Sequence, residues 1–180
     1  MKEHKIIIDD NFLSEENKKY IDEVILNDNF PYYISNNSVW EDNHKFLTHV
    51  AVTRPENCDP SNNYNNSTQA FSLLEILNDF VEKHKITCTR VLRCAVNLSF
   101  NNGFKKTESH HDHLFEHKSL LVYCTNNSDA KTILDKKGKK FKEVVTKKFR
   151  GLYFENYKHY LTYPKKDIRV VIVFTFKWTT

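Results

Sequence analysis

A histidine and an aspartate two positions apart, His110 and Asp112, are the residues best suited to metal chemistry in this sequence. In an extended segment, two side chains at this spacing point to the same side of the backbone. Two histidines and one carboxylate can occupy one triangular face of an octahedral metal ion and leave three positions open for chemistry. The third ligand must then come from elsewhere, on a strand that pairs nearby. A further histidine, His159, lies far downstream in the segment FENYKHY.

Neighbouring histidines leave other assignments open. His111 and His113 also share a face, although only the pair at 110 and 112 supplies a carboxylate two residues on. A polar His-rich loop without a metal is the simplest alternative, and a zinc site with N and O ligands is another. The sequence has no HExxH-type helix, which argues against a zinc hydrolase. A non-catalytic cupin that binds a metal for its structure also stays open.

The composition predicts one folded domain over residues 1–180. The 13 Phe and 9 Tyr residues argue for a packed core and against disorder. The net charge of +4 is compatible with an anionic small molecule and does not demand nucleic acid. Four cysteines (Cys58, Cys88, Cys94 and Cys124) contain no CxxC pair and predict reduced thiols in the cytoplasm. The sequence has no secretory h-region and no apolar run that could span a membrane, so no membrane partner is expected.

Hydrophobic periodicity predicts helices first and strands later. Helices are predicted at 14–26, where Ser14 can cap the first turn, and at 67–85. Strands are predicted at 5–9, 46–54, 91–100, 118–125, 131–134, 140–146, 149–155 and 168–178, with a hairpin turn at 135–138. This order predicts a mainly β fold with α: a double-stranded β-helix (a cupin-like jelly roll) in which two N-terminal helices back the larger sheet.

The strand VLRCAVNLSF has two unlike faces. One face is apolar, and the other carries Arg93, Ala95, Asn97 and Ser99. Because strand side chains alternate, the apolar face is expected to pack on the helices. The polar face is expected to look into a cavity or into solvent, which makes Asn97 and Arg93 candidate pocket residues.

Taken together, these features resemble the Fe(II)/2-oxoglutarate-dependent dioxygenases, and specifically their prolyl-4-hydroxylase-like branch. The matching segments are HHD at 110–112, LLVYCTNNSDAKT at 120–132, RGLYFENYKHY at 150–160 and RVVIVFTF at 169–176. The compact size, the FPYY segment and the VLRCAVNL strand are similar to small members carried by bacteriophages, which implies a location in the host cytoplasm. The specific resemblance covers roughly the C-terminal half of the chain.

The resemblance implies that His110, Asp112 and His159 bind Fe(II), with 2-oxoglutarate and O2 as cosubstrates. It also implies that Arg169 pairs with the distal carboxylate of 2-oxoglutarate. Physical chemistry supports that role, because a guanidinium matches a carboxylate with two hydrogen bonds and stays charged when buried. The alternative is a surface arginine beside Lys165 and Lys166.

Two residues of the strand at 118–125 bear on the same subsite. Tyr123 is implied to be a neighbour of the cosubstrate carboxylate, and a core aromatic residue is the alternative. Cys124 stands where many relatives have a second tyrosine, so a hydrogen bond from that position must come from elsewhere.

The implied activity is hydroxylation of a protein or peptide, most simply at a prolyl or other peptidyl side chain, or of a small molecule, with release of succinate and CO2. The competing interpretation is a non-catalytic metal-binding jelly roll that binds a partner or nucleic acid through the basic hairpin at 136–150. This hairpin contains seven lysines and Arg150. A solvated hairpin face is favoured over nucleic-acid binding, because the charge of one hairpin is a small electrostatic footprint. Trp40 and the Asn-rich loop around it are predicted to form a lid.

Overall fold

The computed structural model describes residues 5–38, 42–57 and 65–177, which form ten strands and two α-helices. Trp40 and Cys58 lie outside the described residues. The elements in chain order are β1 (Ile6–Asp9), α1 (Glu15–Tyr20), β2 (Tyr33–Ser35), β3 (Phe46–Val52), α2 (Ala70–Lys83), β4 (Arg90–Ser99), β5 (Lys118–Tyr123), β6 (Asn127–Lys136), β7 (Lys139–Thr146), β8 (Gly151–Glu155), β9 (Lys158–Thr162) and β10 (Arg169–Lys177).

The strands form two antiparallel sheets. The larger sheet has the order β1-β8-β5-β10-β4-β3-β2, and the smaller has the order β7-β6-β9. Neighbours in the larger sheet are far apart in sequence, as when β10 pairs with both β4 and β5. This topology confirms the predicted jelly roll with antiparallel strands.

Strand β10 shows how the two faces of the larger sheet divide the core. Its residues Val170, Ile172, Phe174 and Phe176 pack in the same cluster as apolar residues of α2, among them Leu73 and Phe80. The alternate residues Val171 and Val173 pack with Leu134 and Val144 of the smaller sheet. The helices therefore cover the outer face of the larger sheet, as predicted, and the inner face is left to meet the smaller sheet.

Both predicted helices are present with small differences at their ends. The Ser14 side chain accepts a hydrogen bond from the Asn17 backbone N–H at 3.3 Å, which is the expected N-cap. Helix α1 continues as a π-helical turn over Ile21–Ile25, within the predicted range. Neither helix in the described part of the chain has the length and hydrophobicity needed to cross a membrane.

The predicted hairpin turn joins β6 to β7 through Lys137 and Gly138. Both residues have positive φ angles, +57° and +77°. A two-residue connection with two positive φ angles is the turn type that suits the right-handed twist of a β-hairpin. Glycine adopts this conformation without the steric cost that a Cβ adds.

One strand that positions the site was not predicted. Strand β9 has only five residues, and its sequence KHYLT has little apolar alternation. It pairs with β6 on one side. The segment 105–110 lies on its other side. The Thr107 backbone N–H donates to the Leu161 carbonyl at 3.0 Å, and His110 forms backbone hydrogen bonds with His159.

Candidate active site

Backbone pairing brings the two candidate histidine ligands together. The His110 N–H donates to the His159 carbonyl at 3.0 Å, and the His159 N–H donates to the His110 carbonyl at 2.9 Å. Two residues paired in this way face each other across an antiparallel ladder. Their ring centroids are 4.6 Å apart. The pairing therefore places the His159 side chain next to that of His110.

The ligand atoms of His110, Asp112 and His159 all lie within 4.8 Å of one another. His159 Nε2 is 3.6 Å from Asp112 Oδ2. Two atoms bonded to one ion at about 2.1 Å each can be up to about 4.2 Å apart, so this pair has the right spacing. His110 Nδ1 lies 3.0 Å from the Glu108 carbonyl, which leaves Nε2 for a ligand.

The Asp112 carboxylate also has the chemistry of a ligand. Its Oδ2 atom is buried without a hydrogen-bond partner among the described residues. A buried carboxylate oxygen without a partner is costly, and a bound cation would satisfy it. The donor set of two imidazoles and one carboxylate therefore fits a divalent metal ion.

The charge states of these residues suit metal binding. Burial raises the pKa of Asp112, but His159, Arg93 and Arg54 more than offset it, so its pKa lies well below the usual range. Burial lowers the pKa of His159 to about 3, although the charge of Asp112 opposes that shift. At neutral pH the site thus presents a carboxylate and a neutral imidazole, the forms that coordinate metals.

Two arginines hold the other oxygen of Asp112. Arg54 donates from Nη1 to the Asp112 carbonyl at 2.6 Å and from Nη2 to Oδ1 at 3.2 Å. Arg93 donates from Nη1 to the same Oδ1 at 3.3 Å. Burial lowers the pKa of Arg93 to about 10, so its guanidinium is charged at neutral pH. The alternation of β4 made Arg93 a candidate for the pocket, with solvent exposure as the alternative, whereas no spacing in the sequence points to Arg54.

The neighbouring histidines have other partners. His113 is buried, with Nδ1 at 2.6 Å from Glu56 Oε1 and Nε2 at 2.7 Å from Thr175 Oγ1. Both ring nitrogens are therefore occupied, and His113 fastens the loop after Asp112 to β10. His111 lies outside the cluster of ligand atoms.

Arg169 lies buried on the inner face of the larger sheet, at 2% exposure. Its Nε donates to Thr146 Oγ1 at 3.2 Å and its Nη2 donates to Thr132 Oγ1 at 3.0 Å. It forms no ion pair with a carboxylate in the described residues. A buried guanidinium held only by neutral hydroxyls is a strong site for a ligand carboxylate.

The ring of Tyr123 packs against the guanidinium of Arg169. The Arg169 guanidinium lies 5.3 Å from the centroid of the Tyr123 ring. The Tyr123 hydroxyl donates to Thr132 Oγ1 at 2.8 Å. Tyr123 is fully buried and is not among the residues that line the cleft, so it contacts Arg169 and not the cleft itself. Cys124 belongs to the core cluster on the helix side of the sheet.

An open cleft between the two sheets, with about 700 Å³ of empty space, contains the metal cluster and Arg169. Asn97, which the alternation of β4 left open to a cavity or to solvent, lines the cleft, and its Oδ1 accepts from Thr48 Oγ1 at 2.8 Å. Leu121, Val171 and Val173 give the cleft an apolar wall. Thr132 and Thr146 were missed by sequence reasoning, because only strand pairing and sheet packing place them beside Arg169.

The basic hairpin makes several ion pairs within the chain. Lys147 and Arg150 both contact the carboxylate of Asp10 at 2.6 Å. Lys148 contacts Asp22 at 2.7 Å, and Lys140 contacts Glu143. These pairs reduce the positive charge available to a partner. The preference for a solvated hairpin over nucleic-acid binding stays a prediction.

Comparison with protein-family models finds no match to the sequence, and comparison with curated proteins finds none either. Solved structures do match. An oxidoreductase of the 2OG-Fe(II) oxygenase family from Burkholderia pseudomallei has a TM-score of 0.72 and 12% identity, over 96% of this chain and 84% of that one. A prolyl hydroxylase from Trichoplax adhaerens, in complex with a hypoxia inducible factor peptide, has a TM-score of 0.67 and 14% identity, over 95% of this chain and 82% of that one.

A viral structure also matches. The viral collagen prolyl hydroxylase of Paramecium Bursaria Chlorella virus-1, in its 2OG complex, has a TM-score of 0.56 and 12% identity, over 97% of this chain and 96% of that one. Identities this low show the fold alone. The chain therefore has the double-stranded β-helix fold of the 2OG-Fe(II) oxygenases, and the resemblance to the prolyl-hydroxylase-like branch is confirmed at the level of fold.

Proposed function

We propose that this protein is an Fe(II)/2-oxoglutarate-dependent dioxygenase that hydroxylates a substrate and releases succinate and CO2. The observation that carries the proposal is the pairing of two features in one cleft. A cluster of two histidines and a carboxylate lies in the same cleft as a buried arginine that has no carboxylate partner among the described residues. One feature suits a metal ion and the other suits the distal carboxylate of 2-oxoglutarate.

In this proposal each residue has a physical task. His110, Asp112 and His159 would hold Fe(II), which would supply the redox chemistry for O2 activation. Arg169 binds and orients the cosubstrate. Thr132, Thr146 and Tyr123 fix the guanidinium, because the hydroxyls of the two threonines accept its N–H groups and the tyrosine ring lies behind it.

The proposed substrate is a prolyl or other peptidyl side chain, and a small molecule is the alternative. A structural neighbour in complex with a peptide supports the first choice. The cleft that holds the metal cluster and Arg169 is open to solvent, which allows a substrate side chain to approach from outside. Because a fold does not determine the substrate, the choice needs direct measurement.

We also propose a source and a cellular location for this protein. The compact chain and its FPYY and VLRCAVNL segments support a bacteriophage source, and cysteines without a CxxC pair support the reducing cytoplasm of a host. Alkylation of the protein as isolated from its source tests the second point, with four reactive thiols expected after unfolding. A pair of thiols that reacts only after reduction would contradict it.

The first experiment is an anaerobic titration of the apoprotein with Fe(II) and then with 2-oxoglutarate. We expect a visible metal-to-ligand charge-transfer band when both are present. Arg169→Met is expected to need at least tenfold more 2-oxoglutarate for the band while it keeps its Fe(II) affinity. Asp112→Asn is expected to give no band at all. A folded wild-type protein that binds Fe(II) without the band contradicts the proposal.

A further inference from the structure

The charged residues that line the cleft give it an excess of positive charge. The charged residues that line it are three arginines, Arg54, Arg93 and Arg169, against one carboxylate, Asp112. In the proposed function the divalent metal ion and Arg169 face the two carboxylates of 2-oxoglutarate, and the single charge of Asp112 is shared by the metal ion, Arg54 and Arg93. The charges of Arg54 and Arg93 are then left without an equivalent negative charge in the cleft.

These two guanidinium groups also have unused hydrogen-bonding capacity. Each guanidinium carries five N–H donors. Arg93 uses one of them on a described residue, at Asp112 Oδ1, and Arg54 uses two, both on Asp112. The side chain of Arg93 is 13% exposed and that of Arg54 is 30% exposed, and both line the cleft. Their remaining donors are therefore available to a molecule in the cleft.

Among the described residues, Glu56 interacts with Arg54 through its charge but is hydrogen-bonded to another residue. Its Oε1 accepts from His113 at 2.6 Å. Glu56 is 42% exposed at its side chain and is not part of the cleft wall. Two cations that share a single carboxylate oxygen repel each other, and a second anion between them would relieve that repulsion.

We propose, on the basis of the proposed function, that Arg54 and Arg93 bind a carboxylate of the substrate and so select an acidic substrate. Because Asp112 lies in contact with both arginines and in the metal cluster, this carboxylate binds beside the reacting centre. It is either the side chain of an acidic residue in a peptide or the carboxylate of a small acid. A bidentate guanidinium contact makes the selection geometric as well as electrostatic.

The test uses the full chain with Mn(II) in the metal site and saturating 2-oxoglutarate, which occupies Arg169. Three probes are compared by proton NMR: N-acetyl-L-glutamate α-amide, its neutral counterpart N-acetyl-L-glutamine α-amide, and butyrate. A probe bound near Mn(II) shows paramagnetic line broadening. We expect broadening of the glutamate probe, with a Kd on the order of millimolar, and at least tenfold weaker binding of the glutamine probe. Butyrate has the same carboxylate without peptide groups, so tighter binding of the glutamate probe indicates a peptide source and equal binding a small acid.

Variants separate substrate binding from support of Asp112. Arg54→Met and Arg93→Met, each measured with enough Mn(II) to fill the metal site because both arginines also orient Asp112, are expected to weaken binding of the glutamate probe at least tenfold. Arg90→Met is the matched control, because Arg90 is an exposed residue of the same strand as Arg93. If the variants lose Mn(II) and leave probe binding by the remaining metal-loaded protein unchanged, the arginines only position Asp112 and the inference is wrong.

The wild-type protein alone also decides the question if a variant fails to fold. Equal broadening of the glutamate and glutamine probes, or none up to about 50 mM, overturns the inference and leaves the proposed function intact, since Kd values above the millimolar range are negligible binding. If Mn(II) and 2-oxoglutarate do not bind at all, the proposed function fails first and this inference fails with it.

Discussion

At the scale of single residues, Thr132 is the link between Tyr123 and Arg169. Its Oγ1 atom accepts from the Tyr123 hydroxyl at 2.8 Å and from Arg169 Nη2 at 3.0 Å. Both donors are buried, so removal of their common acceptor leaves two unsatisfied groups. A buried unsatisfied donor costs about 1–3 kcal/mol, and more for a charged one.

We therefore predict that Thr132→Val lowers the free energy of unfolding by about 2–4 kcal/mol. The same change is expected to weaken the binding of 2-oxoglutarate, because the Arg169 guanidinium loses the acceptor that orients it. Urea unfolding and a cosubstrate titration measure the two effects. Thr132→Ser keeps the acceptor and serves as the control. If Thr132→Val matches wild type in both measurements, Thr132 does not hold Arg169 in solution.

At this scale, the sequence predicted the site residues that lie close together along the chain. His110 and Asp112 could be paired because two positions along an extended backbone place side chains on one side. His159 and Arg169 came from a resemblance, not from spacing. Thr146 and Arg54 could not be found, because each meets its partner only through the packing of elements distant in sequence.

At the scale of elements, β8 depends on the absence of a side chain at its first residue. A Cβ added at Gly151 would lie 2.8 Å from the ring of Phe12 and 3.1 Å from that of Phe80. The two rings pack edge to face with centroids 5.1 Å apart, so neither is free to withdraw. Overpacking of this kind costs typically 1–3 kcal/mol.

Gly151→Ala is thus expected to destabilise the fold by about 1–3 kcal/mol in urea unfolding, with little change in the slope m. Gly138→Ala is the control, because it adds a side chain at a position of positive φ without creating a steric contact. Gly138 has a φ of +77°, but a Cβ there meets nothing within 4 Å. A Gly151→Ala variant as stable as wild type would mean that Phe12 repacks without cost.

A second element-scale contact ties the end of β1 to the loop before β8. Hydrogen bonding to Arg150, aided by Lys147, lowers the pKa of Asp10 from 3.8 to about 2. Because the folded pKa lies below the unfolded one, the contribution is complete above pH 3.8 and is lost as the pH falls through 2.

Asp10→Asn should remove this contribution, about 0.5–1 kcal/mol after solvent screening, at pH 7 but not at pH 2. Urea unfolding of wild type and variant at pH 7, 4 and 2 measures the difference. Glu16→Gln removes the same charge from an exposed position and is the control. A constant gap between wild type and Asp10→Asn at all three pH values would show that the pair does not act through its charge.

Elements with strong alternation or helical spacing could be read from the sequence, and β9 could not. The two faces of β10 follow its apolar pattern closely, because both faces are buried against different layers. Strand β9 is short and polar, and it is a strand because β6 and the segment 105–110 pair with it on both sides. Tertiary context of this kind leaves little trace in the local sequence.

At the scale of the whole molecule, the candidate site bridges the two sheets. The metal cluster lies along β9 and the segment before Asp112, on the side of the smaller sheet. Arg169 comes from the larger sheet, and it donates across the core to Thr132 of β6 and Thr146 of β7. A metal ion with 2-oxoglutarate would therefore connect one layer to the other.

Ligands that bind only the folded state raise its stability by mass action, by about 2.7 kcal/mol at 100 times Kd. For a chain of this size that corresponds to a rise in Tm of about 5–10 °C for each ligand. We predict that Mn(II) raises the Tm of the wild-type protein, and that 2-oxoglutarate added after Mn(II) raises it again by a similar amount. Without the metal, 2-oxoglutarate should give a smaller shift, since it then has only the Arg169 contact.

Two variants divide this effect between the sheets. Arg169→Met should keep the Mn(II) increment and lose most of the 2-oxoglutarate increment, because only the anchor on the larger sheet is removed. Asp112→Asn should lose the Mn(II) increment, because the charged ligand of the cluster is gone. Differential scanning calorimetry at fixed ligand excess measures both. An undiminished 2-oxoglutarate increment in Arg169→Met would place the cosubstrate elsewhere in the cleft, and the two layers would then be joined by the metal cluster alone.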